Sequence, residues 1–307
     1  MVSYFWAGPR FDVERFHNVG FFKGHMNTLL EKGLYQVGQR DSLEWVRVRN
    51  NSPRGLVFVP PLIGGNLSQQ VGIFRRLIRR QFDLISFSYS GHGGSSNKFS
   101  LGTTIRDTIQ MLSCACRLTD KEQLSLFAIG PCYSAVPLLY AVYHLGEPVK
   151  RLVLVNAIPR LGPQAVMSSF IAYYRKLFPT QRGLPGLSDA ARHYADALFP
   201  GITKGKDHFG ALKRKRARLL KTISEFVTLR PLQGVCLTRT PVLCLYARKD
   251  RVLQIYDGGI DANYQSDIRR ICPLSLFRSL DGDHFMSLPM AKGEAERSIT
   301  SFFRNGP

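Results

Sequence analysis

Six cysteines are spread through 307 residues without a single CxxC pair, and a chain of this length needs no disulfide framework to hold a core. Cys114 and Cys116 stand too close for a zinc knuckle, and no second pair lies nearby. The seven histidines show no HxxxH or HxH spacing, so no metal is expected. There is no GxxxxGK[ST] loop and no strand–GxGxxG–helix unit, which removes support for nucleotide hydrolysis and dinucleotide redox chemistry; no cofactor is expected. The longest apolar stretch, around 56–63, contains two prolines and is far short of a membrane span. The first residues lack the basic and apolar regions of a signal peptide, and no internal repeat points to a solenoid. The expectation is a reduced, cytoplasmic protein.

Acidic residues are also scarce. Asp and Glu number 22 against 42 Lys and Arg, a formal charge of +20, while 44% of residues are hydrophobic. That apolar fraction excludes a disordered basic tail. The charge implies acidic company, whether nucleic acid, anionic lipid, or a phosphorylated or acidic-protein-borne substrate, and by itself does not choose among them.

From residue 34 the chain alternates strand-like and helix-like stretches. Residues 34–40 and 43–49 read as a hairpin with its turn near Asp41. Short apolar strands are expected at 55–59, 82–89, 124–129, 150–155, 241–247 and 274–280. Helices are expected at 70–80, 101–118, 133–145 and at the C-terminus, ending near Phe303. Continuous apolar strands separated by helices indicate an α/β fold whose mostly parallel sheet is covered on both faces. The pattern breaks at 158–239, which reads as a helical lid inserted between core segments 34–157 and 240–307. Residues 1–33 are aromatic and irregular, and are treated as an N-terminal extension.

Three segments carry residues that one reaction needs. Gly130-Pro131-Cys132-Tyr133-Ser134 lies between an apolar strand and a helix. A tight strand-to-helix turn pushes its central residue out of the sheet and demands small residues two positions either side. The helix N-terminus that follows favours negative charge on a nucleophile. The competing reading of Cys132 is a small buried apolar residue. Centring the turn on Ser134 would put β-branched Val136 at a position that needs a small side chain, so Cys132 fits better. Asp250 follows the strand 241–247 at the edge where active sites of parallel sheets assemble. It would orient a histidine, or else be a solvated loop carboxylate. His284, in Asp281-Gly282-Asp283-His284-Phe285, follows the last strand and would be the general base. A lone loop histidine is ordinarily a surface residue; the order nucleophile, acid, histidine, each after a strand, singles this one out.

These residues resemble the α/β-hydrolase family, over about residues 34–157 and 240–305. The segment Tyr89-Ser90-Gly91-His92-Gly93-Gly94-Ser95-Ser96 is similar to that family's R-G-H-G-x-S loop, in which the resemblance makes His92 a structural residue. The departure lies in the nucleophile box, where cysteine replaces the usual serine and Ser134 the usual glycine. In its cysteine the box is similar to polyhydroxyalkanoate synthases and dienelactone hydrolases, and Val59-Pro60-Pro61-Leu62-Ile63 is similar to a loop of the synthases. Cys132-Tyr133-Ser134-Ala135 loosely resembles the Ser-x-Ser-Ala turn of the acyltransferases of bacterial luminescence. The resemblance implies an oxyanion hole with one backbone donor from Tyr133. The other would come from Leu62 or Ile63, since neither proline has an N–H.

A thiol exchanges readily with an acyl thioester, whereas its attack on an oxoester runs uphill. The expected activity is therefore an acyltransferase, thioesterase or cyclase working through an acyl-cysteine. Its partners would be acyl-CoA or an acidic acyl-carrier protein. Basic residues Lys213, Arg214, Lys215, Arg216 and Arg218, with the arginines of 74–80, would steer either one; the alternative for the lid run is a solvated helix face. The competing activities are a carboxylesterase and a non-catalytic protein that binds an acidic partner. No nucleic-acid module accompanies the charge, and no transmembrane segment is expected, although peripheral contact with anionic membrane stays compatible with the sequence.

Overall fold

The computed structural model describes residues 11–17, 29–37, 41–63, 67–79, 81–159, 217–222, 224–225, 228–250, 253, 263–284 and 289–305. Nine strands form one sheet: β1 (Phe11–His17), β2 (Leu29–Val37), β3 (Asp41–Arg49), β4 (Leu56–Phe58), β5 (Asp83–Phe87), β6 (Leu126–Pro131), β7 (Arg151–Val155), β8 (Val242–Ala247) and β9 (Ser275–Leu280). Their spatial order is β1-β2-β3-β5-β4-β6-β7-β8-β9. The pairs from β1 to β5 across β3 are antiparallel, and every pair from β5 to β9 is parallel. The helices are α1 (Leu67–Arg79), α2 (Leu101–Glu122), α3 (Ala135–His144), α4 (Gln265–Ile271) and α5 (Pro289–Asn305).

Side chains alternate faces along a strand, and here the alternation feeds two separate cores. Leu56, Phe58, Ile85, Phe87, Ala128, Leu152 and Cys244 pack with Met111, Leu138 and Ile268 from α2, α3 and α4. Their immediate neighbours Val57, Leu84, Phe127, Val153 and Leu245 pack with Phe74 of α1 and with Ile299 and Phe302 of α5. A sheet buried on both faces explains why its strands read as unbroken apolar runs.

The structure differs from the sequence reading at several elements. Asp41, expected at the hairpin turn, is the first residue of β3 and pairs with Val37. Helix α2 runs past Leu118 to Glu122 because the side chain of Glu122 is held by Arg47, at 2.5 Å. Arg47 is only 1% exposed and also meets Asp83 of β5 at 2.5 Å, so one guanidinium ties β3, β5 and α2 together. Residues 11–17 and 29–33, which the sequence leaves without assigned structure, form β1 and the start of β2. The start of α2 is set by a reciprocal cap: Ser100 Oγ accepts from Thr103 N–H, and Thr103 Oγ1 accepts from Ser100 N–H. Among the described residues no helix is long and apolar enough to cross a membrane.

Candidate active site

Strands β4, β6, β7, β8 and β9 lie side by side and parallel, so the loops leaving their C-terminal ends gather along one edge of the sheet. Every residue of the site comes from those loops. Strand β6 ends at Pro131, a single tight turn spans Cys132–Ser134, and α3 begins at Ala135. Cys132 sits at φ +51°, in the left-handed region that costs a non-glycine residue about 1–3 kcal/mol. The bend is that sharp because strand and helix must reverse within three residues. It also fixes the residue two places before Cys132: a Cβ on Gly130 would lie 2.9 Å from Ala135 Cα and 3.1 Å from Leu138 Cδ2. On the other side of the bend Ser134 is completely buried, and its Oγ donates to the carbonyl of Pro61 in the loop after β4.

Asp250 follows β8 and is fully buried. Its Oδ1 accepts from the N–H of Leu253 at 3.2 Å, and its Oδ2 lies 2.7 Å from His284 Nδ1. The other ring nitrogen, Nε2, lies 3.0 Å from Cys132 Sγ. Residues 132, 250 and 284 are far apart in the chain, yet they form one continuous hydrogen-bonded relay. Burial pulls the pKa of His284 down, but attraction to Cys132 and the hydrogen bond its ring donates to Asp250 outweigh it and raise the pKa to about 10. A histidine held that high keeps its proton through neutral pH.

The acid and histidine loops are stitched together by backbone. Lys249 N–H donates to Gly282 O at 3.0 Å and Arg248 N–H to Leu280 O at 2.9 Å. Sequence reasoning missed Asn156, which follows β7 at φ +47° and is 1% exposed. Its Oδ1 accepts from Ala247 N–H at 2.8 Å, while its amide donates to the carbonyl of His284 at 2.7 Å. The available signal was its place just past the C-terminal end of a parallel strand, where a buried polar residue has a job to do.

Other expected site residues fall as follows. Leu62 and Ile63 are half-buried in the loop after β4. Tyr133 is buried beside Cys132, with its hydroxyl 3.1 Å from Thr104 Oγ1. His92 is buried against the ring of Phe99 in the loop after β5, outside the relay. Lys213, Arg214, Lys215 and Arg216 lie outside the described residues, as do the side chains of the arginines of 74–80. Arg218 is half-buried. A groove of about 550 Å³ opens between α2, α3 and residues 229–231, lined by Ile105, Ile109, Tyr140 and Leu229; none of the relay residues faces it.

No family sequence model and no curated protein matches this chain. Solved structures do. A hydrolase from Pseudomonas aeruginosa PA01 is 18% identical, with a TM-score of 0.56 over 89% of this chain and 98% of that one. A serine hydrolase from the bacterium Cycloclasticus zankles is 14% identical, with a TM-score of 0.57 over 89% and 98%. A thioesterase domain from the curacin biosynthetic pathway is 13% identical, with a TM-score of 0.53 over 89% and 98%. At such identities the likeness is one of architecture, and the architecture is plain: the chain has the α/β-hydrolase fold.

Proposed function

We propose that this chain is an acyl-thioester-processing enzyme, a transferase, thioesterase or cyclase, that works through a covalent acyl-cysteine on Cys132. The observation that carries the reading is the relay itself, with His284 Nε2 at 3.0 Å from Cys132 Sγ and Nδ1 at 2.7 Å from Asp250 Oδ2. The fold likeness supports a hydrolase-type reaction, and the thiol narrows its substrate. Thiolate attack on a thioester is an exchange between near-equals, so the acyl group passes on easily to a second nucleophile.

The reaction runs in two halves. Cys132 Sγ, its proton held on His284 Nε2, attacks the thioester carbonyl carbon; an S–C bond forms as the C=O π pair moves onto oxygen. Backbone N–H groups of Tyr133 and of Leu62 or Ile63 receive that oxyanion. When the C=O re-forms, the leaving thiolate departs and takes the proton from His284. The acceptor (water, a hydroxyl or another nucleophile) then gives its proton to His284 and attacks the acyl carbon. Collapse breaks the S–C bond and returns Cys132 as the partner of a protonated His284. Asp250 holds the ring in place and stabilises its charge throughout. Coenzyme A with its phosphates, or an acidic carrier protein, is the acyl donor that suits a chain of charge +20. The helical lid expected at 158–239 lies mostly outside the described residues, and its described end, 229–239, is turn and coil.

Incubation with an acyl-CoA followed by intact-protein mass spectrometry tests this. One acyl adduct is expected in the wild type and none in Cys132→Ala. His284→Ala is expected to slow adduct formation by roughly 10²–10⁴-fold with folding retained. An adduct that survives Cys132→Ala would overturn the assignment. Faster turnover of p-nitrophenyl esters than of thioesters would make the enzyme a carboxylesterase instead.

A further inference from the structure

We infer that Ser134 is a positioning residue for the oxyanion hole: its hydroxyl fixes the peptide plane between Pro61 and Leu62, and so selects Leu62 N–H as the second donor. The inference rests on the acyl-cysteine reading above and goes beyond it in assigning a role to a residue outside the relay.

The loop after β4 leaves the sheet under tight control. Val59 N–H donates to Ile85 O at 3.0 Å, and Val59 O accepts from the buried Ser86 Oγ at 2.7 Å. Pro60 and Pro61 follow, and each ring locks its own φ near −65°. The orientation of the next peptide plane then depends on one soft torsion, ψ of Pro61. The hydrogen bond from Ser134 Oγ to Pro61 O sets that torsion. Because a trans peptide is planar, its carbonyl and its N–H point in opposite directions. A carbonyl drawn toward completely buried Ser134 turns Leu62 N–H away from the interior. Ser134 stands two residues after Cys132 in the same turn, so the bond also couples the two donor segments, the turn bearing Tyr133 N–H and the loop bearing Leu62 N–H. Without the hydroxyl the Pro61–Leu62 plane is free to rotate, and the donor is no longer preorganised when negative charge develops on the substrate oxygen.

The test compares two reactions of one sulfur. Alkylation of Cys132 by iodoacetamide is a displacement at carbon that creates no oxyanion, whereas acylation by acyl-CoA requires one. Ser134→Ala is expected to leave alkylation within about twofold of wild type and to slow acylation at saturating acyl-CoA by about 10-fold or more. The half-saturating concentration should change little. Ser134→Gly, which adds no atoms, should behave the same way and serves if the alanine variant does not fold. A parallel fall in both rates would make Ser134 merely structural and overturn the inference, as would acylation at the wild-type rate. Absence of an adduct in the wild type overturns the underlying reading together with this one, so the two failures are distinguishable.

Discussion

Cys132 stands apart from four of the other thiols by its surroundings. Burial pushes Cys114 and Cys272 up to about 12 and Cys116 to about 11, and raises Cys244 well above its ordinary value; such thiols stay protonated and inert at neutral pH. Cys132 instead faces a histidine whose pKa is raised to about 10. A raised histidine keeps its proton below that value and loses it above. Acylation by acyl-CoA is therefore expected to be flat from pH 7 to 9 and to fall as pH passes about 10. A rate that climbs through the ordinary histidine titration near 6.5 would show a neutral general base instead. Replacing Cys132 by Ser removes the strongest upward pull on His284 while burial remains. Its pKa should then drop, as read from imidazole resonances by NMR, and an unchanged value would break the proposed pairing.

At the scale of elements, the tight turn between β6 and α3 was legible because it obeys local rules. A buried strand, small flanking residues and an apolar helix all show in twenty residues of sequence. The same crowding makes a prediction. Gly130→Ala should destabilise the protein by about 1–3 kcal/mol in urea unfolding and slow acylation, because the added methyl meets Ala135 Cα at 2.9 Å. Full activity with unchanged stability would mean that the turn has slack. Elements held by distant partners were not legible. Strand β1 exists through its pairing with β2, and α4 is seven residues long, too short for helical periodicity to declare itself. The last turn of α2 is polar, and Arg47 from β3 is what holds Glu122 there.

For the molecule as a whole, the charge of +20 is a long-range attribute that ions screen within about 10 Å at 0.1 M salt. If it gathers a phosphorylated or carrier-borne donor, kcat/KM on acyl-CoA should fall by roughly 10-fold between 50 and 500 mM salt. Turnover of a neutral ester by the same enzyme should barely change. An equal response of the two would assign the charge to some other partner.

Most strands and helices from β2 onward, the two-sided burial of the sheet and the chemical identities of Cys132, Asp250 and His284 were in the sequence, because periodicity, turn chemistry and residue type are local properties. Their mutual distances were not. That His284 stands between Cys132 and Asp250, that Asn156 clamps its backbone, and that Ser134 reaches Pro61 across 73 positions of chain all depend on which strands become neighbours. Strand order is decided by packing two cores at once. Contacts between residues far apart in the chain exist only once that packing has brought the C-terminal ends of β4, β6, β7, β8 and β9 to one edge.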